Sequence, residues 1–320
     1  MSRRKKSCAS ASSATPARSR DSGGWQSAME KFLRWKGAQA VSETTLGDYQ
    51  RHITRFFRRF PDAWGSEDRL EQAVFQYMGE PVKPATYNLR LVYLKAFFKW
   101  CCDRGIIGQN PLDGFKRRKD EGRIVQLDLS VVRKLLDMCD TRVFSGLRDY
   151  ALILVTIDTG IRPGEAFALL PRDVNLRSRE ITVRAEIAKT RVSRTLPIMP
   201  VTAQAIADLL AARDPSWGEQ VPVFCTWEGT PLNRHTWGDR LEEYSKRLGV
   251  KIRPYDLRHT FALNFLRSGG NVFALQRTLG HADLTMTKRY LALTQDDIKA
   301  QHAAASPVNQ LVRRRRRRLR

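Results

Sequence analysis

Tyr255-Asp256-Leu257-Arg258-His259-Thr260 opens what reads as an amphipathic helix, its apolar face carried on by Phe261, Leu263 and Phe265. Downstream come Leu279-Gly280-His281 and, nine residues after His281, Tyr290. Read singly, these residues have ordinary explanations. A histidine beside a glycine caps a helix or fills a core, and tyrosines on amphipathic helices are often half-buried packing residues. The quoted motifs place one arginine, two imidazoles and two phenols within 36 residues, so their meaning depends on what the rest of the chain brings to them.

Upstream, Thr159-Gly160-Ile161-Arg162-Pro163-Gly164-Glu165 reads as a corner between two helices. Gly160 suits the end of one helix and Pro163 the first turn of the next. The proline restricts Arg162 to extended backbone, so its side chain leaves a rigid corner. Glu165 falls in the first turn, where a carboxylate is favoured. Between these segments, Ile181 to Ile187 and Arg194 to Ile198 are β-rich runs joined through Ala188 to Ser193, which predicts a small hairpin carrying Lys189 in its turn.

Together, Arg162, Lys189, Arg258, His281 and Tyr290 form a coherent set for phosphoryl transfer. A pentacoordinate transition state at a phosphodiester needs extra negative charge neutralised, and guanidinium forks match its oxygens bidentately. A phenol of pKa about 10 is only about 0.1% ionised at pH 7, so nearby cations or a base must help it attack. The departing alkoxide needs an acid, a role Lys189 suits. Metal and cofactor are not required by this scheme, and none is expected.

These residues, in this order and spacing, resemble the tyrosine recombinases of the phage integrase family: an Arg-x-x-Glu box at Arg162 and Glu165, a hairpin lysine at Lys189, Tyr255-x-x-Arg258, Leu279-Gly280-His281, then Tyr290. The resemblance spans roughly residues 25–298. It implies that Tyr290 attacks a DNA phosphate to leave a 3′-phosphotyrosyl enzyme and a free 5′-hydroxyl. Strands then exchange through a Holliday junction without metal or ATP. It further implies Arg162 and Arg258 on the phosphate, Lys189 as acid, His281 on a phosphate oxygen and Glu165 orienting the site from behind. His259 is expected to buttress rather than react. Double-stranded DNA, a homo-tetramer on two sites and a possible accessory directionality factor are the implied partners. The two domains would clamp opposite sides of the duplex. One position departs from the pattern: histidine is commoner where Tyr255 stands. A phenol is a weaker base than imidazole but still donates or relays a proton, so activity is expected.

The implied fold is mainly α: an N-terminal helical core-binding (SAM-like) domain and a C-terminal mixed, mostly helical catalytic domain with a small β-hairpin or sheet. Apolar periodicity agrees. Trp25, Met29, Phe32 and Leu33 mark a first helix. Leu46, Tyr49, Ile53, Phe56 and Phe60 mark a second, with Thr44 or Thr45 as cap and Pro61 after its end. A third lies near Glu67 to Met78, and a fourth starts about Thr86 with Tyr87, Leu91, Leu94 and Phe98 inward and Gly105 as its stop. Arg51, Arg55, Arg58 and Arg59 on the second helix, with Lys95 and Lys99 on the fourth, are expected to touch DNA. The predicted organisation is a disordered basic arm over 1–23, the core-binding domain over 24–110, a linker over 111–123, the catalytic domain over 124–303 and an arginine-rich tail over 304–320. After Pro200 helices are expected to continue to about Ala303.

The net charge of +23 is concentrated in the tails, yet about ten positive charges remain between them. Such a surface attracts polyanions and gains from counterion release. A membrane is not expected as partner: the greasiest run, Tyr150 to Ile157, is too short to span a bilayer. The five cysteines form no C-x-x-C pair and read as reduced thiols. The acid-free N-terminus shares its composition with transit peptides, but a basic arm is the preferred reading, with a cytoplasmic, nucleoid-associated protein. Two other functions fit parts of the pattern: a type IB topoisomerase-like enzyme that reseals the same strand, and a non-catalytic DNA-binding protein that kept the fold. The small N-terminal helical domain argues against the first, and the intact residue set against the second.

Overall fold

The structure is a computed structural model, and residues 24–120, 125–288, 290, 299 and 302–311 are described. The basic arm over 1–23, linker positions 121–123 and the arginines of 313–320 lie outside the described residues. The chain divides into two compact units, Met1–Gly122 and Arg123–Arg320.

The first unit contains helices α1 (Gly24–Ala38), α2 (Glu43–Arg59), α3 (Glu67–Gly79) and α4 (Pro84–Asp103), with a 3₁₀ turn at Pro61–Gly65. The periodicity is realised in burial: Phe32, Ile53, Phe56, Leu91, Leu94 and Phe98 are all buried. The core is aromatic. Phe32 meets Tyr49, Phe97 and Trp100 edge-on, with ring centroids 5.1, 5.5 and 5.7 Å apart, the arrangement that ring quadrupoles favour. The cap of α2 is neither Thr44 nor Thr45. Ser42 takes that place, its hydroxyl accepting from the Thr45 N–H at 3.4 Å. The helix begins at Glu43, so both threonines are already inside it.

The second unit is mostly helical around one buried helix. Helix α5 (Leu129–Asp137) precedes α6 (Phe144–Thr159), and α7 (Pro163–Ala166) follows the corner. A three-stranded antiparallel sheet then forms from β1 (Val174–Asn175), β2 (Glu180–Val183) and β3 (Arg194–Pro197). Helices α8 (Pro200–Ala211), α9 (Arg234–Leu248), α10 (Pro254–Arg267), α11 (Val272–Leu279) and α12 (Leu284–Lys288) complete it, with a last helical turn at Val308–Leu311. Helix α6 packs against α8 and α10. Its run from Ala151 to Val155 faces the core on most sides, which explains the greasiest stretch of the sequence. Asp149, also buried, accepts from Arg148 at 2.6 Å, Arg240 at 2.7 Å and Tyr244 at 2.9 Å, tying α6 to α9 without leaving a bare charge. No helix among the described residues is long and apolar enough to cross a membrane.

Two regions differ from the sequence expectation. The hairpin gains β1 as a third strand, with Ile181 opposite both Val174 and Leu196, while β2 stops at Val183 rather than Ile187. Arg184 leaves the ladder because its guanidinium reaches Asp173 at 2.8 Å and the Ala168 carbonyl at 3.2 Å. The connection bearing Lys189 is therefore longer than a tight turn. Helices resume at Pro200 as expected but do not run on unbroken: residues 212–233, between α8 and α9, are irregular. Three prolines and two glycines fall there, and Arg213 bonds the Val221 and Pro222 carbonyls instead of extending α8.

Candidate active site

The site is assembled where two helices end. The last carbonyls of a helix have no partner within it and carry partial negative charge. Helix α6 ends at Gly160 and α11 at Gly280, both with positive φ (63° and 62°). A side chain at Gly160 would run into the Phe261 ring and Leu279. At Gly280 a Cβ would sit 3.1 Å from the Arg194 guanidinium. Glycine at both places lets three arginines close on the exposed carbonyls.

Arg258 donates to the Gly160 carbonyl and, at 3.0 Å, to that of Leu279. Arg162 donates to the Gly280 carbonyl at 3.0 Å and to Glu165 at 2.9 Å. Arg194 donates to the Thr278 carbonyl at 2.9 Å and grips both oxygens of Glu165, at 2.5 and 3.2 Å. Glu165, only 2% exposed, also accepts from the Arg162 backbone at 3.2 Å, which fixes the corner. Burial pushes the Glu165 carboxyl up, but hydrogen bonds and charge from Arg194, with Arg162, outweigh it and hold the group below its usual range. Arg258 is pushed down to about 10, by burial first and then by Arg162, and so stays charged at neutral pH. Glu165 pairs with two of the three guanidiniums, Arg162 and Arg194, while Arg258 is held by backbone carbonyls, so the network stays cationic and suited to an anion.

His281 stands at the edge of this cluster. Its Nε2 lies 3.1 Å from Arg258 Nη2, and its Nδ1 lies 2.8 Å from the Thr287 hydroxyl. A guanidinium only donates, so Nε2 accepts and the ring proton sits on Nδ1, facing Thr287. Burial, then Arg258, Arg162 and Arg194, push His281 down to about 4, and the imidazole is neutral at physiological pH. The unfolded chain takes up this proton near pH 6.5 and the folded chain only near pH 4. Folding stability is therefore complete above the unfolded value and falls as pH drops between the two. Thermal melts from pH 7 to pH 4 should show a decline that is shallower in His281→Gln; parallel curves would refute this account.

Tyr290 is 8% exposed and packs with Phe261, Ala262, Leu275 and Leu279. Its backbone N–H bonds the Thr287 carbonyl at 2.9 Å, so Thr287 ties Tyr290 to His281. Its hydroxyl lies 2.8 Å from His259 Nδ1. Tyr255, one turn earlier on α10, is 42% exposed, its ring centroid 6.3 Å from that of His259. The structure therefore brings Arg162, Glu165, Arg258, His281, His259 and Tyr290 into one neighbourhood. Lys189 is different: it lies exposed on the β2–β3 connection and makes no hydrogen bond or ion pair with a described residue. Arg194 and Thr287 were not singled out from the sequence. Arg194 reads as an ordinary strand residue and Thr287 as a helix-surface threonine, and no local signal marks either.

In the first unit, Arg51, Arg55, Arg58 and Arg59 line a cleft of about 810 Å³ together with Arg90. Lys95 and Lys99 are not among its lining residues and lie 3.8 Å from Asp113 and 3.7 Å from Asp103.

Comparison with known proteins places the chain in a family. The model of the phage integrase family matches residues 126–296. Tyrosine recombinase XerC of Serratia marcescens is 27% identical over 292 residues, covering 88% of this chain and 95% of that one. Tyrosine recombinase XerC of Vibrio vulnificus (strain YJ016) is 30% identical over 240 residues, covering 72% and 74%. Among solved structures, the Tn1549 transposon integrase in complex with transposon right end DNA shares the fold, with a TM-score of 0.69 at 21% identity over 88% of this chain and 99% of that one. With more than half its length matched by the family model, the chain belongs to the phage integrase family of tyrosine recombinases.

Proposed function

We propose that this chain is a site-specific DNA recombinase in which Tyr290 attacks a backbone phosphate held by Arg162 and Arg258. The observation that carries the reading is the cationic cluster of three arginines around one buried carboxylate, beside a neutral histidine and a tyrosine held in place by Thr287. A phosphodiester supplies the missing negative charge, and its pentacoordinate state supplies more, so the cluster favours the transition state over the ground state. Arg194 holds Glu165, and through it Arg162, and so acts as a positioning residue. His281 donates to a phosphate oxygen once its ring proton is turned or gained.

Lys189 serves as the acid for the leaving 5′-oxygen. Its place on a long, exposed connection leaves it free to approach bound DNA, and an acid there is typically worth roughly 10² to 10⁴ in rate. The attack leaves a 3′-phosphotyrosyl bond that conserves the energy of the phosphodiester. A 5′-hydroxyl from a partner duplex then reverses it through a Holliday junction, with four protomers on two sites and, where direction is imposed, an accessory factor. The arginine cleft of the first unit adds backbone contacts, and the site of action is the nucleoid. Strand exchange rather than simple resealing is favoured because the relatives are named recombinases.

The test is covalent capture. Incubation with a nicked suicide duplex carrying the chain's own recombination site should give a protein–DNA adduct that survives denaturant, its DNA end 3′-linked and the other end a 5′-hydroxyl. Tight binding to that duplex with no adduct at any time would reject the enzymatic reading.

A further inference from the structure

Resting on the nucleophilic role of Tyr290, we propose that His259, and not Tyr255, is the base that takes the Tyr290 proton. His259 is the residue whose ring nitrogen stands 2.8 Å from the reacting hydroxyl, the range a proton transfer needs. Tyr255 occupies the position where the family pattern puts an imidazole, but it is 42% exposed, and its ring centroid is 6.3 Å from that of His259. A neutral phenol oxygen is also a far weaker base than a neutral imidazole nitrogen, which carries a free lone pair for a proton. Chemistry and distance choose the same residue.

The surroundings suit the role. His259 follows Arg258 on α10, so the arginine that binds the phosphate and the group that receives the proton are set by one turn of helix. His259, with Tyr255, also borders a cavity of about 840 Å³ lined by Arg234, Lys246, Lys251 and Arg253 and by the acids Asp239, Glu242 and Asp256. The ring therefore connects a buried hydroxyl to an open groove.

The step balances. The Tyr290 Oη–H bond breaks and its proton moves to the lone pair on His259 Nδ1, while the freed pair on Oη forms the bond to phosphorus. The P–O5′ bond breaks, its electrons stay on the 5′-oxygen, and Lys189 protonates that oxygen. In the reverse step, neutral Lys189 accepts the proton of the attacking 5′-hydroxyl and the His259 imidazolium returns one to Tyr290. No proton is gained or lost over the cycle, and no other reactant is needed.

Single-turnover cleavage of the suicide duplex tests this with three variants. His259→Ala should cleave slower by roughly 10² to 10⁴, the usual worth of a positioned base, and added imidazole should restore part of the rate through the open groove. His259→Asn keeps an acceptor near the place of Nδ1 but cannot hold a proton, so it should stay slow; it also decides the matter if the alanine variant fails to bind DNA. A duplex with sulfur in place of the 5′-bridging oxygen separates the two proton transfers, because a thiolate leaves without an acid. That substitution should restore Lys189→Ala and leave His259→Ala slow. A near wild-type rate in either His259 variant, rescue of His259→Ala by the sulfur duplex, or a larger loss in Tyr255→Phe would overturn the proposal. Absence of any adduct from the wild-type chain would instead sink the function on which it rests.

Discussion

Tyr290→Phe protein should bind its site as the wild type does and yield no covalent adduct, however long the incubation. The ring sits among Phe261, Ala262, Leu275 and Leu279, and phenylalanine fills that space with the same carbon skeleton. What is lost is the oxygen that forms the bond to phosphorus and the hydrogen bond to His259. Losing one hydrogen bond of this kind costs on the order of 1 kcal/mol of stability, too little to unfold a domain. Binding and chemistry should therefore separate cleanly. The readout is a denaturing gel of the suicide-duplex reaction beside a native gel of the same samples. Abundant adduct from the phenylalanine variant would show that another hydroxyl attacks, and the exposed Tyr255 would then be the first to replace.

Glu165→Ala carries the second large effect, on stability and rate together. The carboxylate is the acid that Arg162 and Arg194 both grip, at 2.9 and 2.5 Å, and all three side chains are largely buried. Removing it leaves guanidiniums facing one another and Arg258 in a pocket that water reaches poorly. Breaking a buried ion pair by deleting one partner typically costs about 3–5 kcal/mol, because the other charge stays buried without compensation. For a unit of this size that lowers the melting temperature by roughly 10 °C. Cleavage should fall by about 10³ or more, since Arg162 loses its anchor and one misplaced phosphate donor alone typically costs 10² to 10³. Glu165→Gln keeps the shape and one acceptor, and should lie between the two. A melt of Glu165→Ala that overlays the wild type would mean the arginines find other partners and the carboxylate is dispensable. The direction of the Glu165 shift adds a check. Its folded carboxyl is held low, so its contribution is intact above the ordinary carboxylate range and is lost on strong acidification, a loss absent from the alanine variant.

Much of this protein is legible in its sequence, and the legible parts share one property: they are encoded by near neighbours. A helix repeats every 3.6 residues, so Phe32, Ile53, Leu91 and Phe98 declare their buried faces from spacing alone. The glycine that ends α6 and the proline that opens α7 mark their corner in the same way. The chemistry-bearing residue types of Arg162, Arg258, His281 and Tyr290 also stand out, because their order and spacing match a family pattern. The partnerships did not stand out. Arg162 reaches a carbonyl 118 positions away and Arg258 one 98 positions away. Nothing in the local sequence of Arg194 says that it shares Glu165, or in that of Thr287 that it orients His281. The cap at Ser42 and the irregular run over 212–233 were likewise decided where local preferences compete and long-range bonds break the tie. His259 shows the division most plainly. Its place after Arg258 was visible in the sequence, yet only the packing of α10 against the segment bearing Tyr290 puts its nitrogen beside the one hydroxyl that has to lose a proton. Hydrogen bonds act over three ångströms of space, and the sequence measures distance along the chain.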